Sequence, residues 1–467
     1  MIAPRTYRLS LLSAFLLSLV GTLCTPLVAA PWDLDPTFGN GGQVLTPVGS
    51  ASVFPSESAL QADGSLLVCG YTLGTTGSSS VDSFIIRYQS NGSRDTSFGT
   101  AGEAMMSLGT SFEGWSDIAA QTDGRILVAG YYQNGSSYDM ALARYLANGT
   151  LDATFGTAGK VLPALSSGYD AAGGIVLQPD GKIVVCGGAA VNGSQDFALL
   201  RYLSNGTLDT TFGSGGKVLT SITSGDDSAG EISLLADGKI VVAGRAGGGN
   251  NSDFALARYL ANGTLDTTFG NSGKVITAIS PVDDVPLGMT VQPDGKILVS
   301  GYGTSNYDLA LVRYQSNGAL DPSFGTGGKV TTDLGGYHDF GQAVALRFDG
   351  EILVGGTADS VVNGNNNSNF ALLLYTASGT LDSNFGTGGI VRTPFGDGDD
   401  EATGMVLQPD GKIVLTGWGV DSEGYANVAA VRYNGFPAVP EPSSFVLLGA
   451  GLAILGMRRH THARRSK

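Results

Sequence analysis

The stretch LQPDGKIVVCGG, residues 177–188, decides the fold because the chain repeats it with small changes. It returns as VQPDGKILVSGY at residues 291–302 and as LQPDGKIVLTGW at residues 407–418. Each copy places apolar runs on both sides of an Asp-Gly turn, where glycine supplies the positive φ that a tight hairpin needs. A hairpin repeated at a nearly constant interval predicts a repeat architecture.

Three markers of this repeat each occur seven times, at intervals of 55 to 61 residues. They are the phenylalanine of an LDxxFG motif, the aspartate of the hairpin turn and the tyrosine that ends the third apolar run. In that order, the markers are Phe38, Phe98, Phe155, Phe212, Phe269, Phe324 and Phe385; Asp63, Asp123, Asp180, Asp237, Asp294, Asp349 and Asp410; and Tyr88, Tyr145, Tyr202, Tyr259, Tyr314, Tyr375 and Tyr433.

Each unit predicts four short strands, as at residues 174–178, 182–187, 197–203 and 216–220 of the third unit. The strand cores are continuous apolar runs, which indicates a sheet covered on both faces. Sheets of four strands that cover one another in this way are propeller blades. Because the chain opens with a fourth-strand element and ends after a third strand, its two ends should complete one blade. We therefore predict an all-β, seven-bladed β-propeller of four-stranded blades over residues 31–438, closed by the N-terminal strand.

The repeat also resembles the delta-60 repeat family through LDTTFGSGGKV at residues 208–218, QPDGKIVV at 178–185 and DFALLRY at 196–202. The resemblance covers essentially all of residues 34–435. It implies a propeller-like extracellular scaffold and carries no general activity with it.

Residues 1–30 predict a secretory signal peptide. Arg5 and Arg8 precede an apolar run, and small residues follow at 28–30. A basic start, about a dozen apolar residues and a small-residue exit are typical of such a segment. The signal should be removed on export.

The C-terminal residues 439–467 resemble a PEP-CTERM sorting signal. Pro440, Glu441 and Pro442 precede a short apolar segment, and Arg458 and Arg459 follow it. The resemblance implies a Gram-negative bacterium, an exosortase-type processing enzyme, transient anchoring in the inner membrane by the C-terminal segment, and a final place at the cell surface or in the exopolysaccharide of a biofilm matrix. A plain tail anchor is the alternative. The basic cluster keeps the end of the chain cytoplasmic, so the repeats should face outward.

The charge of the repeat region is strongly negative. Residues 31–438 hold 19 basic and 40 acidic residues, a net charge of −21. This charge argues against nucleic acid or anionic lipid as a partner and favours cation binding or solubility. Cys69 and Cys186 stand at equivalent positions of the first and third units, too far apart in a regular array for a disulfide.

All length variation between units falls in the loop between strands two and three. In an up-and-down sheet these loops share one face with the connections that join successive units, and variable loops on one face predict an interaction surface. The connections carry an acid in six units, where a ring of carboxylates could bind a cation such as Ca²⁺. The alternative, which we favour, is that each acid caps its own turn. The acids are Glu113, Asp170, Asp227, Asp284, Asp339 and Asp400.

Four aromatic residues that occur in single units are candidates for stacking on sugar rings: Trp115, Tyr132, Tyr337 and Trp418. Packing in the protein interior is the alternative for each of them. The arginine before the third-strand tyrosine, present in six units, should pair with the aspartate of the LDxxFG motif.

These patterns favour a non-enzymatic binding or scaffold protein whose partner is a polysaccharide or a cell-surface molecule. The alternative is a secreted lyase or glycosidase that uses carboxylates on the loop-rich face. A purely structural display role is a third interpretation. Against an enzyme stands the scarcity of histidine, since His338 is the one histidine between the two terminal segments. The sequence contains no nucleophile elbow and no cluster with metal-ligand spacing.

Overall fold

The computed structural model describes residues 30–49, 52–73, 81–108, 112–247, 251–336, 338–362, 365–396 and 398–436. The first 29 residues of the predicted signal peptide and the whole predicted sorting tail lie outside these ranges. Within them, no helix is long and apolar enough to cross a membrane.

The described residues form twenty-eight strands in seven sheets of four. The first strand is β1 (Gln43–Thr46). Blade 1 is β2 (Val53–Leu60), β3 (Leu66–Thr72), β4 (Asp82–Tyr88) and β5 (Glu103–Met106). Blade 2 is β6 (Glu113–Ala120), β7 (Ile126–Asn134), β8 (Ser137–Tyr145) and β9 (Lys160–Val161). Blade 3 is β10 (Ala171–Leu177), β11 (Ile183–Val191), β12 (Ser194–Tyr202) and β13 (Lys217–Thr220). Blade 4 is β14 (Asp227–Leu234), β15 (Ile240–Ala246), β16 (Asp253–Tyr259) and β17 (Lys274–Thr277). Blade 5 is β18 (Val285–Val291), β19 (Ile297–Gly303), β20 (Asp308–Tyr314) and β21 (Lys329–Thr332). Blade 6 is β22 (Phe340–Leu346), β23 (Ile352–Val362), β24 (Asn365–Tyr375) and β25 (Ile390–Thr393). Blade 7 adds β26 (Asp400–Leu407), β27 (Ile413–Val420) and β28 (Ala426–Tyr433).

The seven sheets form a closed ring, which confirms the predicted seven-bladed propeller. Every blade is antiparallel, and its first strand packs against the first strands of both neighbouring blades. The first strand is therefore the innermost one. Blade 7 takes its outer strand from the other end of the chain, since β1 pairs with β28 in the order β1-β28-β27-β26. This pairing is the predicted closure by the N-terminal strand.

Apolar clusters between neighbouring blades form the core. One cluster joins blades 3 and 4 through fully buried side chains of both, including Val184, Leu199, Val242 and Ala257. Side chains from both faces of each middle strand are buried in this way, which explains the continuous apolar runs in the sequence. Cys69 and Cys186 are buried in two such clusters, and both are free.

An arginine latch joins each of six blades to the turn between strands three and four of the next blade. In blade 3, Arg201 Nε donates to Asp209 Oδ2 over 2.9 Å, and its guanidinium lies 4.5 Å from the centre of the Phe212 ring. Another of its N–H groups donates to the carbonyl of Ala261 in the next blade. The predicted pairing of arginine with the motif aspartate is thereby confirmed in the six blades that have the arginine: Arg87, Arg144, Arg201, Arg258, Arg313 and Arg432.

Candidate functional site

Two faces of the propeller differ in what they present. We call the face that bears the Asp-Gly turns and the arginine latches the turn face. The opposite face bears the loops between strands two and three and the connections between blades, and we call it the loop face. Backbone bonds tie these two kinds of segment together, as between the N–H of Asp284 and the carbonyl of Ser252. Among the predicted site residues, the six acids, Tyr132 and Trp418 lie on the loop face.

The six acids of the blade connections lie at equivalent places on this face, and each is fully buried. Asp227 is representative. Its Oδ2 accepts the N–H groups of Ile222 and Thr223 over 2.7 and 2.8 Å. Its Oδ1 accepts the hydroxyl of Thr223 and the N–H of Gly247 at the end of strand two. All six accept the N–H of the residue five positions earlier: Leu108, Leu165, Ile222, Ile279, Leu334 and Phe395.

These contacts have the geometry of the turn-capping alternative. Each carboxylate fixes the connection of its own blade and is turned away from solvent. Burial also raises the pKa of Asp339 and of Asp400 to about 6. A continuous ring of exposed carboxylates at the channel mouth is therefore not what the fold presents, and any cation site must involve further ligands.

The four candidate aromatic residues have different surroundings. Trp115 is 1 % exposed and packs in the cluster between blades 1 and 2, so its proposal as a contact residue was wrong. Its strand-one position is buried because it faces the neighbouring blade; three other blades place alanine there, two place proline and one places glycine. Tyr132 is half-buried, with its hydroxyl 3.4 Å from Asp139 Oδ2. Trp418 is half-buried on the loop face, and Tyr337 lies outside the described residues.

The structure shows a row of aromatic side chains on the loop face, which we call the aromatic arc. Of its residues, only Trp418 was identified from the sequence. Seven rings follow one another across the loop face from blade 7 to the connection between blades 2 and 3. Adjacent ring centres in the arc lie 5.2–6.2 Å apart. The rings are half-buried except for the last, which is 45 % exposed. In order, the rings belong to Trp418, Phe54, Tyr71, Phe112, Tyr131, Tyr138 and Tyr169.

Three residues of the arc share one position of the repeat, directly after the glycine near the end of strand two. A Cβ atom on that glycine would lie 1.8–2.2 Å from a carbonyl oxygen of strand one, so the glycine cannot vary. The residue that follows the glycine differs between blades in size, polarity and charge. From blade 1 to blade 7 this post-glycine position holds Tyr71, Tyr131, Gly188, Arg245, Tyr302, Thr357 and Trp418. A variable residue after an invariant glycine was the signal in the sequence that could have found the arc.

A second, smaller aromatic group lies between blades 5 and 6. Tyr302 at the post-glycine position is within 5.5 Å of Tyr307 and 4.9 Å of Phe340, measured between ring centres. His338 lies 5.6 Å from Tyr307 and is exposed. Arg245, the one charged post-glycine residue, is exposed. Burial raises the pKa values of Tyr169 and Tyr302, and the nearby charge of Arg245 offsets part of that rise.

A cavity of about 260 Å³ lies on the propeller axis, lined by first-strand residues of all seven blades. Three of its lining residues are acids at one equivalent position: Glu57, Asp117 and Glu231. The other blades place glycine or alanine there, and none of the residues that line the described cavity is basic. Like charges thus face one another in a narrow space.

The three acids differ in their hydrogen bonds. Asp117 accepts the N–H groups of Ile118 and Ile175, and burial raises its pKa to about 6. Burial and the charge of Asp117 raise the pKa of Glu57 well above its usual value. Glu231 accepts no hydrogen bond within the described residues, and burial together with Asp117 raises its pKa to about 8. At neutral pH Glu231 therefore carries a proton, which it can donate into the cavity.

The described residues thus define a seven-bladed β-propeller with an aromatic arc on one face and a carboxylate-lined cavity on its axis. The chain belongs to the family described as domain of unknown function (DUF5122) beta-propeller, which confirms the resemblance of the repeats. The matched segments are residues 61–98, 121–155, 178–212, 235–269, 292–324, 349–385 and 408–435. A comparison with curated proteins found no match.

The C-terminal segment matches the PEP-CTERM protein-sorting motif over residues 438–459, which confirms that resemblance. In bacteria this motif indicates export to the cell envelope or surface and processing by an exosortase-type system. The predicted residues Pro440, Glu441, Pro442, Arg458 and Arg459 fall within the matched segment.

Among solved structures the chain is similar to several proteins at low sequence identity. A catalytically inactive virginiamycin B lyase from Staphylococcus aureus is 10% identical, with a TM-score of 0.48, over 84% of this chain and 98% of that one. An ulvan lyase, a polysaccharide lyase, is 10% identical, with a TM-score of 0.46, over 89% and 98%. Sqt1 from Chaetomium thermophilum is 12% identical, with a TM-score of 0.42, over 85% and 98%. These similarities assign no activity to this chain.

Proposed function

We propose that this protein is a non-enzymatic carbohydrate-binding scaffold of the bacterial surface, which holds a polysaccharide chain along the aromatic arc. The observation that carries the proposal is the unbroken run of seven rings on the loop face. Aromatic rings offer large apolar area at low conformational cost and suit the apolar faces of sugar rings. An extended arc suits a chain of sugars better than a compact ligand.

The hydroxyl groups of the arc add polar contacts to this apolar surface. Burial raises the pKa values of Tyr71, Tyr131 and Tyr169, so these phenols stay protonated at neutral pH. A phenol that keeps its proton both donates and accepts hydrogen bonds, which matches the hydroxyl groups of sugars. Arg245 lies near the end of the arc that Tyr169 forms and supplies one positive charge. It suits an acidic sugar at that end.

The expected setting is the exopolysaccharide or biofilm matrix. The sorting motif indicates export to the envelope or surface and so supports a polysaccharide of that setting as the partner. The net charge of −21 over residues 31–438 disfavours nucleic acid, the other common matrix polymer. A Gram-negative host and secretion with a cleaved signal peptide remain parts of this proposal.

The alternative function is a carbohydrate-active enzyme, and one observation favours it. Glu231 lines the axial cavity with a pKa raised to about 8, which suits a general acid at neutral pH. The residues of the six blade connections serve this alternative less well, because they are buried and bonded to backbone N–H groups. If the enzyme reading holds, purified protein will shorten a polysaccharide, and Glu231→Gln will abolish that activity.

The binding proposal is tested by affinity electrophoresis and calorimetry against the host exopolysaccharide and a panel of neutral and acidic glycans. Tyr131→Ala and Tyr169→Ala, which remove rings from the middle and the end of the arc, should each weaken binding by about tenfold or more. Phe348→Ala is the matched control, because Phe348 is 67 % exposed and lies on the turn face. Retention of full affinity by both arc variants, or equal loss in the control, would exclude the arc as the binding surface.

A further inference from the structure

The repeat pairs each acid at the start of strand three with a lysine from the next blade. The lysine begins strand four, and its ammonium bonds to a carbonyl of the connection beside the acid. Lys274 donates to the carbonyl of Ser221; burial raises the pKa of Asp196, and the nearby charge of Lys274 offsets part of that rise. Lys329 donates to the carbonyl of Ala278 over 2.6 Å, and its charge acts on Asp253 in the same way.

The sequence keeps this pairing around most of the ring. Asp82, Asp139, Asp196 and Asp253 are followed in the next blade by Lys160, Lys217, Lys274 and Lys329. Where strand three begins with the uncharged Asn369 or Asn427, the next blade has Gln43 or Glu103 in place of the lysine. A basic residue is therefore present where there is a carboxylate to neutralise, and absent where there is none.

The junction of blades 5 and 6 breaks this rule. Strand three of blade 5 begins with a carboxylate, Asp308, but the lysine position of blade 6 holds Ile390. The same junction adds a further acid, Asp333, where other connections have serine, alanine or proline. One positive charge is lost and one negative charge is gained at a single place in the ring.

The carboxylates at this junction converge. Ligand oxygens of Asp308, Asp333 and Asp339 all lie within 4.8 Å of one another. Asp339 is fully buried, whereas Asp333 is exposed, so the group opens to solvent on one side. Asp308 is half-buried, and its Oδ2 accepts the Thr304 hydroxyl over 2.8 Å, whereas its buried Oδ1 has no hydrogen-bond donor among the described residues. A buried carboxylate oxygen without a donor is costly unless a ligand supplies the missing contact.

The basic groups of the surroundings are engaged elsewhere. The guanidinium of Arg392 donates to the main-chain carbonyl of Leu334. His338 Nδ1 lies 3.4 Å from Asp359 Oδ2, a fourth acid next to the group. In the described part of the chain, no salt bridge joins a basic side chain to Asp308, Asp333 or Asp339.

We infer that the junction of blades 5 and 6 binds a divalent cation, Ca²⁺, through Asp308, Asp333 and Asp339. All three ligands are carboxylates, which hard cations prefer, and no cysteine or histidine belongs to the group. Ca²⁺ tolerates irregular coordination by carboxylates, carbonyls and water, whereas Mg²⁺ demands near-octahedral geometry. The ion takes the place of the lysine that four of the other junctions carry.

The site would also order part of the loop face. Asp308 follows Tyr307 directly, and the carbonyl of Tyr307 accepts the N–H of Asp339 over 3.0 Å. A cation between these carboxylates ties the loop of blade 5 to the connection that leads into blade 6. This inference is independent of glycan binding by the aromatic arc, which lies on blades 7, 1 and 2.

Calorimetric titration of Ca²⁺ into the purified, EDTA-treated protein tests the inference. We expect one saturable site with a dissociation constant of about 10⁻⁴ to 10⁻³ M, the range of extracellular calcium modules. Saturating Ca²⁺ should raise the melting temperature by a few degrees, and the same concentration of Mg²⁺ should raise it less. The absence of both heat and a melting shift would overturn the site.

Three variants locate the ion. Asp333→Ala installs the residue that Ala278 already provides at the neighbouring junction, so it should fold and should bind Ca²⁺ at least tenfold more weakly. Ile390→Lys restores the missing lysine and should remove the calcium dependence of the melting temperature. Asp253→Asn, at the junction of blades 4 and 5, is the matched control and should bind Ca²⁺ as the unmodified protein does. Unchanged binding in Asp333→Ala and Ile390→Lys, or loss only in the control, would place the ion elsewhere.

Discussion

The turn face and the loop face of this propeller use the same repeat in opposite ways. On the turn face, six blades build the same latch from arginine, aspartate and phenylalanine, with the ion pair at 2.7–2.9 Å. On the loop face, the post-glycine position carries five different residue types in seven blades. Repeated side chains hold neighbouring blades together, and the side chains that are not repeated are free to serve binding.

Blade 6 shows what happens when the repeated part fails. Leu374 replaces the latch arginine there, and its motif aspartate, Asp382, has no salt bridge in the described residues. Arg347, at the end of strand one of the same blade, instead lies 3.4 Å from the centre of the Phe436 ring. A basic residue from outside strand three thus lies near the motif aspartate of blade 6.

The largest expected effect comes from opening the ring. Deletion of residues 31–47 removes β1 and the Asp35 partner of Arg432, which together close blade 7. The loss leaves strand β28 unpaired along one edge and a buried arginine without its anion. We expect the melting temperature in scanning calorimetry to fall by at least about 10 °C.

Truncation after Phe436 is the matched control, because it removes terminal residues and leaves all twenty-eight strands in place. Its melting temperature should stay within about 2 °C of the full chain. An equal loss in both truncations, or no loss in either, would contradict closure by the N-terminal strand.

The next effect separates a complete latch from an incomplete one. Asp209→Ala leaves Arg201 buried without its partner, which should lower the free energy of unfolding by about 3–5 kcal/mol. Asp382→Ala removes the equivalent carboxylate in blade 6, where Leu374 replaces the latch arginine and the described residues form no salt bridge to Asp382, and should cost only about 1 kcal/mol for the lost turn bonds. Urea denaturation compares the two. Equal costs would mean that the latch stabilises through its turn and not through the ion pair.

The third effect concerns the axial cavity and depends on pH. The pKa of Glu231 is raised from 4.5 to about 8, so the folded protein holds a proton that the unfolded chain releases. The stabilisation is fully present below pH 4.5 and is lost as the pH rises through 8. Glu231→Gln should therefore flatten this dependence and raise the melting temperature at pH 8.5 by roughly 2–5 °C.

The matched control for the cavity is Glu423→Gln, since Glu423 is an exposed acid on the loop of blade 7. It should leave the melting profile between pH 4 and 9 unchanged. A Glu231→Gln profile that stays parallel to that of the unmodified protein would show that Glu231 titrates as an ordinary surface acid.

The propeller scaffold could be predicted from the sequence because its elements recur in several repeat units. Blade number, strand number, ring closure and the pairing of Arg201 with Asp209 each rest on positions that recur in register. The turn-capping geometry of Asp227 could be anticipated for the same reason. The position of Trp115 could also have been read from the repeat, since Ala172 and Ala229 occupy it in other blades and are buried.

The aromatic arc could not be predicted in full because it joins residues from different positions of the repeat. Phe54 belongs to strand one, Tyr71 to strand two, Phe112 to a connection and Tyr138 to strand three. They meet only because successive blades are arranged around the propeller axis, which brings the loop-face ends of neighbouring blades side by side. The cation group of blades 5 and 6 has the same origin, since its acids come from a strand and from a connection.

The smallest expected effect on stability comes from Arg245→Gln. This variant tests most directly whether a loop-face side chain serves binding and not stability. Arg245 is exposed and has no salt bridge in the described residues, so its loss should change the free energy of unfolding by less than about 0.5 kcal/mol. Binding of acidic glycans should fall about fivefold to tenfold, and binding of neutral glycans should not change. Arg125→Gln is the control, because Arg125 is a 42% exposed cation of the turn face. Calorimetry with one acidic and one neutral glycan compares the variants. An equal loss for both glycans, or a loss in the control, would contradict a charge-selective end of the arc.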